Sequence, residues 1–358
     1  MDIAVVGGGL FGVTTALEIS DRIQNANITL YERENDILRA ASGINQWRLH
    51  RGYHYPRSKP TAVSCRASHD EFKDRYGEAV ITEHDHYYCI ASENTRTSPE
   101  AFLSHCEDVG LWREETDLNI VKDDSIDLCV EVEENHIDPL SLRSLLWKRL
   151  NERNIDVRLN HHVDTARRLA SEYKYVVVAA YAGNNAVLEG YPDLRREYKF
   201  QLIEKPVVTL PDSYHDRSVV VMDGPFMSFD PYGHTTRMYL DHVQHGIRSE
   251  EVDMRPRFEG FDPSLLNGKL IQDPPETNFP AFIDSYQEFF NDIEAADHLG
   301  SYFTTRTVLP NRNDTDARPT LVGRSENVFR VFSGKMCTCV KAADKVITQI
   351  NSSKEMRQ

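Results

Sequence analysis

The stretch Ile3-Ala4-Val5-Val6-Gly7-Gly8-Gly9-Leu10-Phe11-Gly12, continued by the apolar run at 13–19, decides how this chain folds. The β-branched segment 3–6 predicts a strand, the spacing G-x-G-x-x-G a tight turn, and the pattern after it a helix. Gly7 permits the turn, Gly9 lets the backbone approach a pyrophosphate, and Gly12 lets the helix pack closely on the strand. The unpaired N–H groups at the helix start face the anion. Residues 28–31 (Ile-Thr-Leu-Tyr) predict a second strand ending at Glu32, which lies 20 residues beyond Gly12. At that spacing an acidic side chain accepts hydrogen bonds from a ribose diol. The pattern predicts dinucleotide binding and fixes only the adenosine diphosphate end, so NAD and FAD both stay open.

The 358 residues, 40% hydrophobic and 27% charged, are those of an ordinary globular protein. A formal charge of −15 disfavours a general role in gripping nucleic acid. No apolar run of about 18 residues is present to span a bilayer. The first strand begins at the N-terminus with no basic leader or removable apolar segment, and a cytoplasmic location is expected. Six cysteines at 65, 89, 106, 129, 337 and 339 lack C-x-x-C spacing, which predicts reduced, mostly buried thiols and no metal site.

Further along, Ala40-Ala41-Ser42-Gly43-Ile44-Asn45-Gln46 is small and polar and leads into Trp47-Arg48-Leu49-His50-Arg51-Gly52-Tyr53-His54-Tyr55-Pro56-Arg57. So many aromatic, imidazole and guanidinium groups in a non-periodic stretch suggest a loop that lines something, or a surface loop whose rings pack on the core. Helical spacing follows at 59–76, and Ser98-Pro99 and Asp138-Pro139 are helix starts, each pairing a side-chain cap with proline at the first position. Residues 175–180 form the most apolar β-branched run, a strand buried on both faces within a parallel sheet. Short extended runs between 202 and 247 predict an antiparallel sheet. Near the end, a strand at 328–332, the turn Ser333-Gly334-Lys335 and an amphipathic helix at 337–350 repeat the strand, glycine and helix order of the N-terminus.

Taken together these segments resemble the FAD-dependent oxidoreductases of the D-amino-acid oxidase (DAO) superfamily over nearly the whole chain. His50-Arg51-Gly52-Tyr53-His54-Tyr55 looks like the H-x-G-x-x-Y segment of its 2-hydroxyglutarate and glycerol-3-phosphate dehydrogenase branches. The C-terminal Gly334-Lys335-x-x-Thr338 turn adds specificity to the shared N-terminal motif. The resemblance implies an α/β Rossmann-like FAD-binding domain of the βαβ type found in glutathione reductase, interleaved with an α+β substrate domain built on an antiparallel sheet. The expected divisions are 1–78, 139–200 and 305–352 for the FAD-binding domain and 79–138 and 201–304 for the substrate domain.

Carried over by residue, the resemblance places Gly7, Gly9, Leu10, Phe11 and Gly12 at the pyrophosphate, and Glu32 and Arg33 at the adenosine ribose. Ser42 and Asn45 come next to the phosphates, Val163, Gly183 and Asn184 close beneath the cofactor, and Gly334, Lys335, Met336, Cys337 and Thr338 stand against the flavin pyrimidine edge. Positive potential there favours the anionic reduced flavin. His50 lines the flavin without a covalent bond to it. His50, His54 and Tyr55 are the candidate catalytic groups. Arg306 resembles the carboxylate-clamping arginine of the family's G-x-R-P segment, with Thr307 where proline is usual; a planar guanidinium suits that bidentate role. Arg57 and Tyr53 are further substrate candidates, with Tyr239, Asp241 and His242 weaker ones on one presumed strand facing the flavin, and Arg318 is structural or flavin-adjacent.

The function implied is oxidation of a C–H bond beside an amino or hydroxyl group in a small, anionic substrate, by hydride transfer to FAD. Oxygen, a quinone or a carrier protein then takes the electrons. A NAD-dependent dehydrogenase and a non-catalytic flavin-binding assembly protein are the alternatives.

Overall fold

The structure is a computed structural model that describes every residue except 225, 312–313, 315–316 and 356–358, and the side chains of 353–355. A six-stranded sheet organises the nucleotide-binding half. Its order is Leu321–Ser325, Val328–Phe332, Tyr175–Val178, Asp2–Val6, Asn27–Tyr31, Asp156–Arg158. The first of these runs antiparallel to its neighbour and the remaining pairs are parallel. The central strands Asp2–Val6 and Tyr175–Val178 are buried because apolar layers cover both faces, which is why both read as unbroken β-branched runs. On one face the helix Leu10–Arg22 packs beside Cys339–Glu355, sharing a core that includes Leu17, Ile19, Val346 and Ile347.

The second layer is a nine-stranded sheet. Its path is Ile247–Asp253, Tyr198–Thr209, Arg237–His242, Met227–Pro231, Arg217–Met222, Asp85–Ala91, Ile126–Val132, Arg113–Glu115, with Asp297–Val308 also paired to Tyr198–Thr209. The predicted antiparallel pattern holds through 198–253, but Asp85–Ala91 joins Arg217–Met222 in parallel, a long-range pairing that no local pattern encodes. The chain passes repeatedly between the layers, and the strands Tyr198–Thr209 and Asp297–Val308 run through the positions where the sequence reading divides the domains. A small sheet joins Arg48–Leu49 and Val80–Ile81 to Asn135–Ile137.

The proline-started helices Pro99–Val109 and Pro139–Glu152 form as the sequence predicts, with the Ser98 and Asp138 side chains accepting from Ala101 N and Leu140 N. The C-terminal helix differs in its start. Met336–Thr338 is a 3₁₀ turn and the α-helix begins at Cys339, because Thr338 Oγ1 donates back to Lys335 O at 2.7 Å and closes the tighter turn. All six cysteines are buried free thiols. Among the described residues no helix is long and apolar enough to cross a membrane.

Candidate active site

The carboxyl ends of the parallel strands open onto a cavity of about 320 Å³. Ligands bind at this edge in open α/β sheets, since the connecting turns and helix N-termini gather there. One end is built from Gly7, Gly9, Leu10 and Phe11 of the first turn, with Glu32, Arg33, Ser42 and Asn45 beside them. Gly7 sits at φ +113° and donates to Tyr31 O at 2.8 Å, while a Cβ on Gly12 would lie 1.9 Å from Gly7 O. Glycine at both positions is therefore a steric requirement of the strand-to-helix contact. Ser42 Oγ accepts from Leu10 N at 3.0 Å, joining the 40–46 loop to the helix start. Glu32 accepts from Gly8 N at 2.5 Å and from Glu34 N at 2.8 Å. Its carboxylate both braces the turn and faces the cavity, so Glu32→Ala is expected to weaken FAD binding by about 1–3 kcal/mol, the range for losing a charged acceptor. Titration of apoprotein with FAD measures this, and an unchanged affinity would remove Glu32 from the nucleotide site.

Gly334, Lys335 and Met336 line the same cavity together with His50 and Arg48. Lys335 Nζ lies 4.7 Å from the Tyr55 ring centroid, and burial lowers its ammonium to about 8. Arg48 is 4% exposed. Its Nε lies 3.2 Å from Glu134 Oε2, its Nη1 3.5 Å from Asp230 Oδ1 and its Nη2 3.3 Å from His86 Nδ1. Burial opposes ionisation of Glu134 and Asp230 most strongly, but Arg48 together with His50 and the Arg51 N–H at Glu134, and with His136 and Ser218 at Asp230, outweighs it and brings both carboxyls down to about 2. His50 stands 3.6 Å from Glu134, and burial with the nearby Lys335 lowers its imidazole to about 4.

Burial also lowers His84 and His242 to about 4. Between that value and about 6.5, the ordinary imidazole value, the unfolded chain binds protons that the native chain does not, so stability falls as pH drops through this window. The depressed carboxylates add a further loss from about pH 4 downward. The thermal midpoint is expected to fall steadily between pH 6.5 and pH 4. A flat midpoint over that range would mean that these histidines are not buried in the neutral form.

The third wall is a face of the nine-stranded sheet. Ile203 pairs with Thr304, and Arg306 pairs with Gln201, so Ile203, Thr304 and Arg306 share one surface. Arg306 Nε donates to Gln201 Oε1 at 2.7 Å, and Gln201 Nε2 donates to Glu250 Oε2 at 2.7 Å, fixing the guanidinium from behind. Lys205 and Asp241 line the same surface and form an ion pair at 2.6 Å.

Of the residues expected at the cofactor, Gly12, Asn184, Cys337 and Thr338 do not line the cavity. Gly12 acts through helix packing. Asn184 bridges Ala180 N and Val331 O, each at a distance of 2.8–2.9 Å. Thr338 holds Thr320 Oγ1 at 2.6 Å, and Cys337 is buried. The remaining cofactor candidates, including Val163 and Gly183, line it.

Among the catalytic and substrate candidates His50, Arg306 and Asp241 do so. His54 packs 4.5 Å from the Phe226 ring, and Tyr55 lies 5.8 Å from His50. Tyr53 donates to Trp112 O at 2.5 Å, and Arg57 clamps Asp223 at 2.8 and 3.2 Å. Tyr239 is buried against Tyr232, and His242 Nδ1 accepts from Gln244 N at 3.1 Å. Tyr53, His54 and Arg57 thus meet partners distant in sequence and serve the fold around the cavity, whereas Tyr55 Oη and His242 Nε2 are buried with no hydrogen-bond partner among the described residues. Arg318 donates its backbone N–H to Thr61 Oγ1 at 3.3 Å.

Sequence reasoning missed Gln46, Arg48, Lys205, Tyr181, His161 and His162, all of which line the cavity. A period-two signal was present at 46, 48 and 50, where alternate residues face the cavity and Trp47 and Leu49 are buried on the other side.

A glycine turn that a Cβ would block, an acidic residue at the second strand and a half-buried lysine on the same cavity define a dinucleotide-binding oxidoreductase. The donor set suits FAD: helix N-termini and Ser42 for the phosphates, Glu32 for the ribose, and Lys335 for charge on the flavin ring. The chain belongs to the DAO family of FAD-dependent oxidoreductases, whose model matches residues 2–333. It is similar to the FAD-dependent monooxygenase kojA of Aspergillus flavus, with 26% identity over 98% of this chain and 85% of that protein. The FAD-dependent monooxygenase FPY4 of Fusarium mangiferae is 23% identical over 98% of this chain and 91% of its own length. The crystal structure of glycine oxidase from Geobacillus kaustophilus superimposes with a TM-score of 0.71 at 14% identity, covering 97% of this chain and 93% of that one, and shares the fold. The protein is thus an FAD-dependent oxidoreductase, and the NAD-dependent and non-catalytic alternatives are set aside.

Proposed function

We propose that this oxidoreductase removes a hydride equivalent from a C–H bond beside an amino or hydroxyl group of a small anionic molecule. The observation that carries the reading is the continuity of one cavity from the glycine turn through Lys335 to Arg306. A nucleotide held at one end leaves its reactive ring within reach of a guanidinium suited to a carboxylate or other anion. Bound FAD supplies the acceptor for the hydride, and oxygen, a quinone or a carrier protein receives the electrons afterwards. Gly9, Ser42 and Glu32 hold the nucleotide, Arg306 orients the substrate, and Lys335 supplies positive charge.

The cofactor is held without a covalent bond. Acid or heat precipitation is expected to release FAD into the supernatant, and flavin retained in the pellet would refute that part of the reading.

The names of the two fungal relatives favour a second reading, insertion of an oxygen atom from O2. Turnover under ¹⁸O₂ separates the two. Label in the organic product identifies monooxygenation, whereas an unlabelled product whose new C=X bond replaces C–H and X–H identifies dehydrogenation.

A further inference from the structure

Lys205 sits in a strand, Tyr198–Thr209, whose other residues are mainly apolar, and it is 3% exposed. Burying an ammonium costs several kcal/mol unless a partner offsets it, and the partner is Asp241, whose Oδ1 lies 2.6 Å from Lys205 Nζ. The pair stands two residues beyond the rung Val207–Tyr239 on each strand, so both side chains share the sheet face that lines the cavity. Gln46 Nε2 donates to the other carboxylate oxygen, Oδ2, from the opposite wall. Tyr286, from the helix Phe279–Tyr286, fixes the backbone of Asp241 by donating to its carbonyl at 2.8 Å. The neighbouring titratable group on the same strand, His242, is held neutral by burial.

Asp241 is therefore clamped on both oxygens by donors while its side chain stays 21% exposed towards the cavity. A carboxylate offers about four lone-pair sites, so two remain for an O–H or N–H group. Among the described residues lining the cavity, Glu32 is the other carboxylate, and it lies at the nucleotide end on Gly8 and Glu34. A core that needed only packing would place an apolar residue at 205. A lysine, a carboxylate and an amide converging on one open point have the form of a site for a polar hydrogen.

We infer that Asp241 accepts the proton from the heteroatom of the substrate, and that Lys205 and Gln46 are positioning residues that aim its carboxylate. This deepens the proposed oxidation and rests on it. For an alcohol, the O–H bond breaks with its proton passing to Asp241, the carbon–hydrogen pair leaves as hydride to the flavin acceptor of the proposed activity, and a C=O bond forms. For an ammonium, Asp241 takes one N–H proton first, and loss of hydride from carbon then leaves the iminium. In both cases the protonated Asp241 returns its proton to solvent through the open cavity.

The experiment uses FAD-loaded protein and the compound that bleaches its flavin fastest without oxygen. Asp241→Asn removes the counter-charge of buried Lys205 and is expected to lower the thermal midpoint, while keeping FAD content and lowering the limiting reduction rate about 10²- to 10⁴-fold, the usual contribution of a positioned base. Asp241→Glu should recover part of that loss, and Lys205→Met should fall between. In wild-type protein, two unreactive competitive inhibitors that differ only in the X–H group should bind with at least tenfold different affinity, a measurement that needs no variant. A wild-type limiting rate in Asp241→Asn, or equal inhibitor affinities, would overturn the inference, as would a large loss in His50→Gln with none in Asp241→Asn. If no compound bleaches the wild-type flavin, the proposed oxidation itself fails and this inference with it, whereas bleaching of wild type at an unchanged rate in Asp241→Asn overturns the inference alone.

Discussion

Gly12→Ala is expected to yield protein without bound flavin and with stability lowered by about 3 kcal/mol, the upper end of what overpacking usually costs. The added Cβ would stand 1.9 Å from the Gly7 carbonyl oxygen, which is backbone and cannot rotate away. Gly7 is itself held by its N–H bond to Tyr31 O at 2.8 Å and by its closeness to Ala179, where a Cβ would meet the carbonyl oxygen at 2.5 Å. The clash must therefore be relieved by moving the helix Leu10–Arg22 away from the sheet, which strips its N-terminus from the phosphate position and loosens its packing against Cys339–Glu355. The ratio of absorbance at 450 and 280 nm and the thermal midpoint measure both effects. Full flavin content with an unchanged midpoint would show that the helix does not approach the turn this closely.

The second large effect is expected at Arg306. Arg306→Ala should keep FAD, because the residue lies on the sheet face across the cavity from the glycine turn, and should lose about 2–5 kcal/mol of substrate affinity, as for truncating one partner of a buried charge pair. At the lower bound this is roughly a 30-fold rise in Kd. Arg306→Lys should fall between, since an ammonium keeps the charge but cannot present two parallel N–H donors. Gln201 holds Nε at 2.7 Å, so the plane of the guanidinium is set before substrate arrives. Anaerobic titration followed by flavin reduction measures the affinity, and wild-type dependence in Arg306→Ala would make this arginine a structural residue of the sheet.

The nucleotide half was legible because its sequence signals are backbone constraints. Gly7 and Gly12 are required by local geometry, Glu32 follows at the end of the next strand, and the buried run at 175–178 can only be an inner strand. The substrate half was less so. Tyr53, His54, Tyr55 and Arg57 are the residue types that line active sites, yet three of the four find structural contacts at Trp112, Phe226 and Asp223, between 59 and 172 positions away. Lys205 follows Glu204 in a strand that also carries Lys199 and gives no local signal; its meaning comes from Asp241, 36 residues on, and from Gln46, which approaches from another layer. Partners of this kind are set by strand pairing across the sheet and leave no trace in local periodicity. Arg48 was hidden differently, since the strand that aims it is two residues long and sits in a stretch read as loop.

The central claim, that this FAD-dependent oxidoreductase dehydrogenates a small anionic molecule, is tested most directly by anaerobic mixing of purified protein with amino acids, N-methyl amines, 2-hydroxy acids and anionic alcohols while the flavin absorbance is followed. Rapid bleaching by one compound or one chemical class, saturating with concentration, is the expected result. A yellow protein whose flavin dithionite reduces but no member of the panel bleaches would contradict it.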